Sequence, residues 1–241
     1  MAQVLDPKVD EIMAWQEFGL QVIPLTAGKK PTPAVAWTPW LAKLKAANDA
    51  GIVEKLVTDT WQGTELNLGH ITDATLFILD ADSPTSLKSL LALEKKHGFL
   101  PNLIVKTRKG QHHYFRRDPD KTYAKQQGIS TDKYPTAIDV KTGRTMEEGF
   151  SMVVLPPSPD KYIHLDNCDN VKNLVEVNQD FIDDIFIHNN RPLPRKPGSK
   201  PKGYSVYTAS SIAGEVGEIL SFIPPNDGYD NWLAVLMGIH D

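Results

Sequence analysis

Two aspartates one residue apart, Asp80 and Asp82, close the apolar run Leu76-Phe77-Ile78-Leu79, and a third, Asp139, stands inside a second run, Ala137-Ile138-Asp139-Val140. Successive side chains of a strand alternate faces, so Asp80 and Asp82 share one face with Ile78, about 7 Å apart along the backbone. Carboxylate oxygens favour hard cations such as Mg2+ and Mn2+, which reach a protein through one or two carboxylates plus substrate phosphates. A third carboxylate from a neighbouring strand would complete a two-metal clamp suited to phosphoryl transfer. The plainer reading is local: Ser83-Pro84 can open a helix with Asp82 just outside it. That accounts for one acid and leaves two.

A second group of reactive side chains lies between the acids. Leu103-Ile104-Val105-Lys106-Thr107 and His112-His113-Tyr114-Phe115-Arg116 flank Arg108-Lys109-Gly110-Gln111, which reads as a hairpin whose turn torsion is supplied by Gly110. Alternation then puts His112 and Tyr114 on one face and His113 and Phe115 on the other. Only one histidine can face the aspartates. An imidazole beside metal-bound phosphates can donate a hydrogen bond to a phosphate oxygen as charge develops. Lys106, Arg108, Lys109, Arg116, Arg117, Lys121 and Lys125 crowd one stretch, and Arg191, Arg195, Lys196, Lys200 and Lys202 another that holds no acid. Such runs are either solvated surface or local phosphate contacts.

The elements that must position these residues follow from periodicity. Val9, Ile12 and Met13 mark a helix over residues 7–18, ended by Gly19, and residues 20–25 read as a strand before the loop Gly28-Lys29-Lys30-Pro31. Ile52, Val53, Leu56 and Val57 give a helix over 50–61. A strand over 67–71 precedes the aspartate strand, and Leu87, Leu90, Leu91 and Leu93 carry a helix from Pro84 to the stop at Gly98. The Asp139 strand and Ser151-Met152-Val153-Val154-Leu155 are expected to pair with each other. The expected fold class is α+β with an antiparallel-rich sheet.

Composition bounds the rest. A chain of 241 residues, 41% hydrophobic and 23% charged, fits one or two globular domains. Net charge of −4 confines any nucleic-acid contact to local patches. The single cysteine, Cys168, excludes an internal disulfide and Cys-rich zinc sites, leaving oxygen and histidine as ligands. With no apolar run of about 18 residues and with Asp6, Asp10 and Glu11 near the start, neither a membrane partner nor a secretory signal is expected, and the expected location is cytoplasmic. Residues 189–204, rich in proline, glycine and basic side chains, read as a linker between a catalytic domain over 1–188 and the truncated start of a helical domain over 205–241. A longer polypeptide is expected.

Taken in order, "FILDAD", "TRKGQHHYF" and "AIDVKTG" leading to "SMVVLPPS" resemble the three catalytic motifs of the primase-polymerase (Prim-Pol) branch of the archaeo-eukaryotic primase superfamily, found in phage and plasmid replication proteins. Upstream, "GLQVIPLTAGKKPTPAVAW" and "NLGHIT" resemble that family's amino-terminal segment. Downstream, "EVGEILSFIPPNDGYDNWLAVLMGIHD" is similar to the first part of a primase C-terminal helical domain, which often precedes a helicase module. The resemblance covers about residues 10–165 and 212–241.

It implies an archaeo-eukaryotic primase catalytic core with an RRM-like sheet and flanking helices, followed by a short helical segment. It implies a DNA primase/DNA polymerase of a mobile genetic element, with Asp80, Asp82 and Asp139 as catalytic metal ligands for a two-metal Mg2+ or Mn2+ site and His112 on the triphosphate. Its partners would be nucleoside triphosphates, a single-stranded DNA template with primer, and a helicase module in the same longer chain. Independently of the resemblance, Lys30, Arg108 and Lys141 can supply positive charge around a nucleotide, and Arg116 and Arg117 can follow a template backbone.

One residue departs from the family pattern: Gly110 stands two positions before His112, where serine is common, so a hydroxyl contact to phosphate is missing or replaced by backbone N–H and Lys109. Two alternatives stay open, a catalytically weakened replication-initiator or single-strand-binding module and a metal-dependent nuclease. Rolling-circle nickases, however, need two histidines on one face, and His112 and His113 point apart.

Overall fold

A computed structural model describes residues 7–30, 37–46, 50–125, 127–128, 134–143, 151–165 and 168–195. These all belong to the first of two compact units, Met1–Arg195 and Lys196–Asp241. The helical segment expected over 205–241, and most of the expected linker, lie outside the described residues.

In chain order the elements are α1 (Pro7–Phe18), β1 (Val22–Leu25), α2 (Trp37–Ala46), α3 (Ala50–Trp61), β2 (Asn67–Ile71), β3 (Leu76–Ala81), α4 (Pro84–His97), β4 (Leu103–Thr107), β5 (Gln111–Arg117), β6 (Asp139–Thr142), β7 (Met152–Leu155), β8 (Lys161–Leu165), β9 (Glu176–Val177) and α5 (Gln179–His188). The described strands form two sheets. The smaller runs β1-β2-β7, and the larger runs β6-β3-β5-β4-β8 with β9 added to β5. All pairings are antiparallel except β5 with β9. This is the expected α+β fold with antiparallel-rich sheets.

The large sheet separates two cores. Leu76, Ile78, Leu103, Val105 and Tyr114 project from one face into a core shared with α1, α2, α3 and the small sheet. Phe77, Leu79, Ala81, Phe115 and Val140 project from the other, against α4 and α5. Because β3 is buried on both faces, it reads as a continuous apolar run rather than an alternating one. Its exit is fixed by α4. Ser83 caps that helix through reciprocal bonds with Ser86, Pro84 occupies the first turn, and Gly98 ends it at φ 73°.

Pairing differs from expectation at the third aspartate. β6 joins β3, while β7 joins β2 in the other sheet. The two cores decide this: Val153 and Leu155 fill the first with Leu68, whereas Val140 fills the second. The Thr142 hydroxyl then ties β6 to β3 by donating to the Leu76 carbonyl at 2.7 Å.

Candidate active site

Cross-strand register builds the site. In the large sheet Asp80 lies opposite His112 of β5 on one side and opposite Asp139 of β6 on the other. Directly opposed residues of antiparallel strands hold their Cβ atoms about 4.5–5.5 Å apart and share a face. The result is one row, His112–Asp80–Asp139, across three adjacent strands, with Lys141 two positions along from Asp139. His112 Nε2 stands 3.4 Å from Asp80 Oδ1. The Lys141 ammonium donates to Asp139 Oδ2 at 2.9 Å and lies 3.7 Å from Asp80 Oδ2. Asp82, exposed just past β3, sits where its charge and that of Asp80 repel.

Asp139 is held from behind. The residue before it, Ile138, donates its N–H to Asn189 Oδ1 at 2.9 Å and accepts from Asn189 Nδ2 at 2.8 Å. The expected linker therefore starts with a residue that belongs to the site's scaffold.

The electrostatics are those of a crowded acid cluster. Burial, aided by Asp139, pushes the Asp80 carboxyl above its ordinary range against the pull of Lys141. Burial and then Asp80 do the same to Asp82. His112, 5% exposed, is pulled down to about 3 by burial and the nearby Lys161 charge, so its ring is neutral. Burial lowers the Lys141 ammonium, but the Asp139 hydrogen bond and the surrounding carboxylates more than offset this and raise it. These are opposed shifts within one small volume, the usual signature of a functional cluster.

The donor set suits a hard divalent cation: carboxylate oxygens only, with Asp80 Oδ1 buried and without a hydrogen-bond partner among the described residues. Among those residues no three His, Cys, Asp or Glu side chains close around a common point, and the Lys141 ammonium bridges Asp80 and Asp139 instead.

The remaining sequence candidates divide. Arg108 is exposed beside Lys109 at the tip of the β4–β5 hairpin, whose Gly110 abuts Ala81. Lys30 is exposed in the Thr26–Lys30 turn, but it is the charge of its neighbour Lys29 that reaches Lys161. Arg116 and Arg117 sit at the far end of β5. Arg116 pairs with Glu176 across the strand, half-exposed. Arg117 is 4% exposed and donates to the Thr122 carbonyl at 2.9 Å, with the Gly143 carbonyl at 3.4 Å. Its guanidinium is a buried brace, not the backbone-following charge expected from sequence.

Gly110 also needs a different explanation. Its φ lies outside the left-handed region; what demands glycine is space, since a Cβ there would fall 1.7 Å from the Ala81 carbonyl oxygen. The hairpin is pressed against the chain between Asp80 and Asp82. No serine fits on this backbone.

One contributor is missed by sequence reasoning. Lys161, at the start of β8, opposes Thr107 and carries its charge to Asp80, Asp82 and His112. The alternation Lys161-Tyr162-Ile163 after the turn was the available signal.

A family model described as bifunctional DNA primase/polymerase, N-terminal, matches residues 12–177, more than half of the chain. No curated protein matches it.

Proposed function

The chain belongs to the Prim-Pol family of bifunctional DNA primase/polymerase N-terminal domains, and from that premise we propose a template-directed nucleotidyltransferase working by a two-metal mechanism. The general function is that of a primase/polymerase domain, with nucleotides and DNA as substrates. The finer reading is carried by one observation: His112, Asp80 and Asp139 form a single cross-strand row with Lys141 beside it.

In this reading a primer 3′-hydroxyl attacks the α-phosphorus of a nucleoside triphosphate and pyrophosphate leaves. Asp80, Asp82 and Asp139 would hold Mg2+ or Mn2+, and bound ions supply hydroxyl activation and charge neutralisation on the leaving group. The chain's own residues do the positioning. Neutral His112 donates from Nε2 to a phosphate oxygen, which costs no proton transfer and strengthens as negative charge accumulates. Lys141 and Lys161 neutralise triphosphate charge from two sides, and Arg108, Lys109, Lys29 and Lys30 extend that field to solvent. The backbone of the Gly110 turn brings the hairpin against the acids without any side chain.

The phage or plasmid setting, a cytoplasmic location, and a helicase module following the helical segment expected from sequence over 205–241 belong to the same proposal. Among the described residues no helix is long and apolar enough to cross a membrane. The nickase form of the nuclease alternative loses its ligand pair, because His113 is buried on the opposite face against Glu94.

Primer extension with Mg2+ or Mn2+ tests the proposal. Wild-type protein is expected to extend a primed template, and Asp80→Ala/Asp82→Ala to lose all extension. Equal extension by both removes the reading, and scission of single-stranded DNA without nucleotides would favour the nuclease.

A further inference from the structure

Behind the acid row lies a second group of polar atoms that the proposed mechanism does not use. His70 is fully buried in the middle strand of the small sheet, between Val22 of β1 and Val153 of β7. Its ring crosses to the large sheet and lies 5.9 Å from the Tyr114 ring, tilted by 35°. Tyr114 shares a face of β5 with His112 and is itself fully buried. Among the described residues, both ring nitrogens of His70, the Tyr114 hydroxyl and His112 Nδ1 are buried without a hydrogen-bond partner, although the Ile71 backbone lies near enough to act on the His70 ring. The Asp80 charge acts on Tyr114, and His70 sits where a charge on His112 would be felt.

An isolated buried polar atom is costly, and four of them on three neighbouring side chains call for a common partner. An enclosed spot with several donors and acceptors is where a globular protein keeps internal water. Chemistry assigns the direction of the bonds. For neutral His112 to present a hydrogen from Nε2, its Nδ1 must be the acceptor, and among the described residues the unpartnered donors of this group are the Tyr114 hydroxyl and an N–H of His70.

We propose that His70 is a positioning residue for His112: through a buried, solvent-bridged hydrogen-bond network shared with Tyr114, it supplies the hydrogen to His112 Nδ1 and so holds Nε2–H toward the phosphates. The inference rests on the reading of His112 as a phosphate contact. It adds a residue from the other sheet, so the small sheet becomes part of the machinery rather than a support.

The test uses the full chain with 15N-labelled histidine, in wild type, His70→Leu, His70→Asn and Tyr114→Phe. Nitrogen shifts report which His112 nitrogen is protonated, independently of any activity. The wild type is expected to show the Nε2–H form, and His70→Leu a mixture of both forms. Primer extension by His70→Leu should show kcat about tenfold lower with KM for the nucleotide unchanged. His70→Asn, which keeps an N–H, should recover much of the loss, and Tyr114→Phe, which removes one oxygen only, should shift both readouts in the same direction. An unaltered His112 signal in His70→Leu, or in Tyr114→Phe should the first variant not fold, overturns the inference, as does a wild-type Nδ1–H form. Wild-type protein that extends no primer sinks the polymerase reading instead, while the nitrogen shifts still decide the role of His70.

Discussion

Neighbouring histidines on β5 face the two sides of the large sheet and meet opposite surroundings. His113 is fully buried, with Nδ1 2.6 Å from Glu94 Oε1 and Nε2 2.8 Å from the Gln111 side-chain amide, so each ring nitrogen faces a polar partner. His112 is nearly as buried, yet its Nδ1 has no partner among the described residues and its Nε2 reaches Asp80 at 3.4 Å. The α4 face uses polar groups to join a helix to a sheet. The acid face instead turns polar groups toward the site, where internal solvent or a bound ligand completes their hydrogen bonds.

That contrast can be broken by substitution on either side. His113→Ala leaves the Glu94 carboxyl buried without its partner and a cavity beside it, which together cost about 3 kcal/mol or more. Urea unfolding should show that loss, while the folded fraction keeps its extension rate. His112→Ala should do the reverse. Removing one preorganised donor costs about 2.7 to 4 kcal/mol of transition-state stabilisation, a fall of a hundredfold or more in kcat, with little change in urea midpoint.

Acid should separate the faces as well. His70 is pulled from 6.5 down to about 4 by burial, so the unfolded chain takes up a proton before the folded one. Its contribution is complete above pH 6.5 and lost as pH falls toward 4, roughly 3 kcal/mol in all. The raised Asp80 and Asp82 act with opposite sign, favouring the folded state as pH falls. Comparing wild type with His70→Leu isolates the histidine: the variant should lose less stability over that interval in pH-dependent thermal melts. The smallest effect is expected at the hairpin. Gly110→Ser must move backbone away from Ala81, an overpacking cost of about 1 to 3 kcal/mol, and extension should fall rather than rise despite the restored hydroxyl. A gain in rate would place the serine oxygen on phosphate after all.

Much of this was legible in the sequence, for identifiable reasons. Residues 7–18, 50–61 and 84–97 carry helical periodicity with clear stops at Gly19 and Gly98, and their bounds follow. Strand alternation alone places Asp80 with Ile78, and His112 apart from His113. What failed depends on three dimensions. Which partner β6 and β7 choose is set by two separate cores, and short apolar runs carry no label for either. Arg117 and Arg116 look alike in sequence, but alternation buries one beside the Thr122 and Gly143 carbonyls. Gly110 looks like a turn residue because contact with Ala81 leaves no trace in local composition. α2, α5 and β8 were not anticipated, and with β8 went Lys161.

Asp139 rides on the outermost strand of its sheet. β6 is four residues long, is stitched to β3 on one side, and on the other meets only the isolated bridge from Gln127 among the described residues. Short peripheral strands open at a fraction of the free energy needed to melt a domain. Detachment of β6 would carry off one carboxylate, Lys141 and the Val140 side chain of the second core together, while β3, β5 and the first core stay assembled. On warming, amide exchange in 139–142 should quicken first, and enzymatic competence should fade several degrees before the fold does.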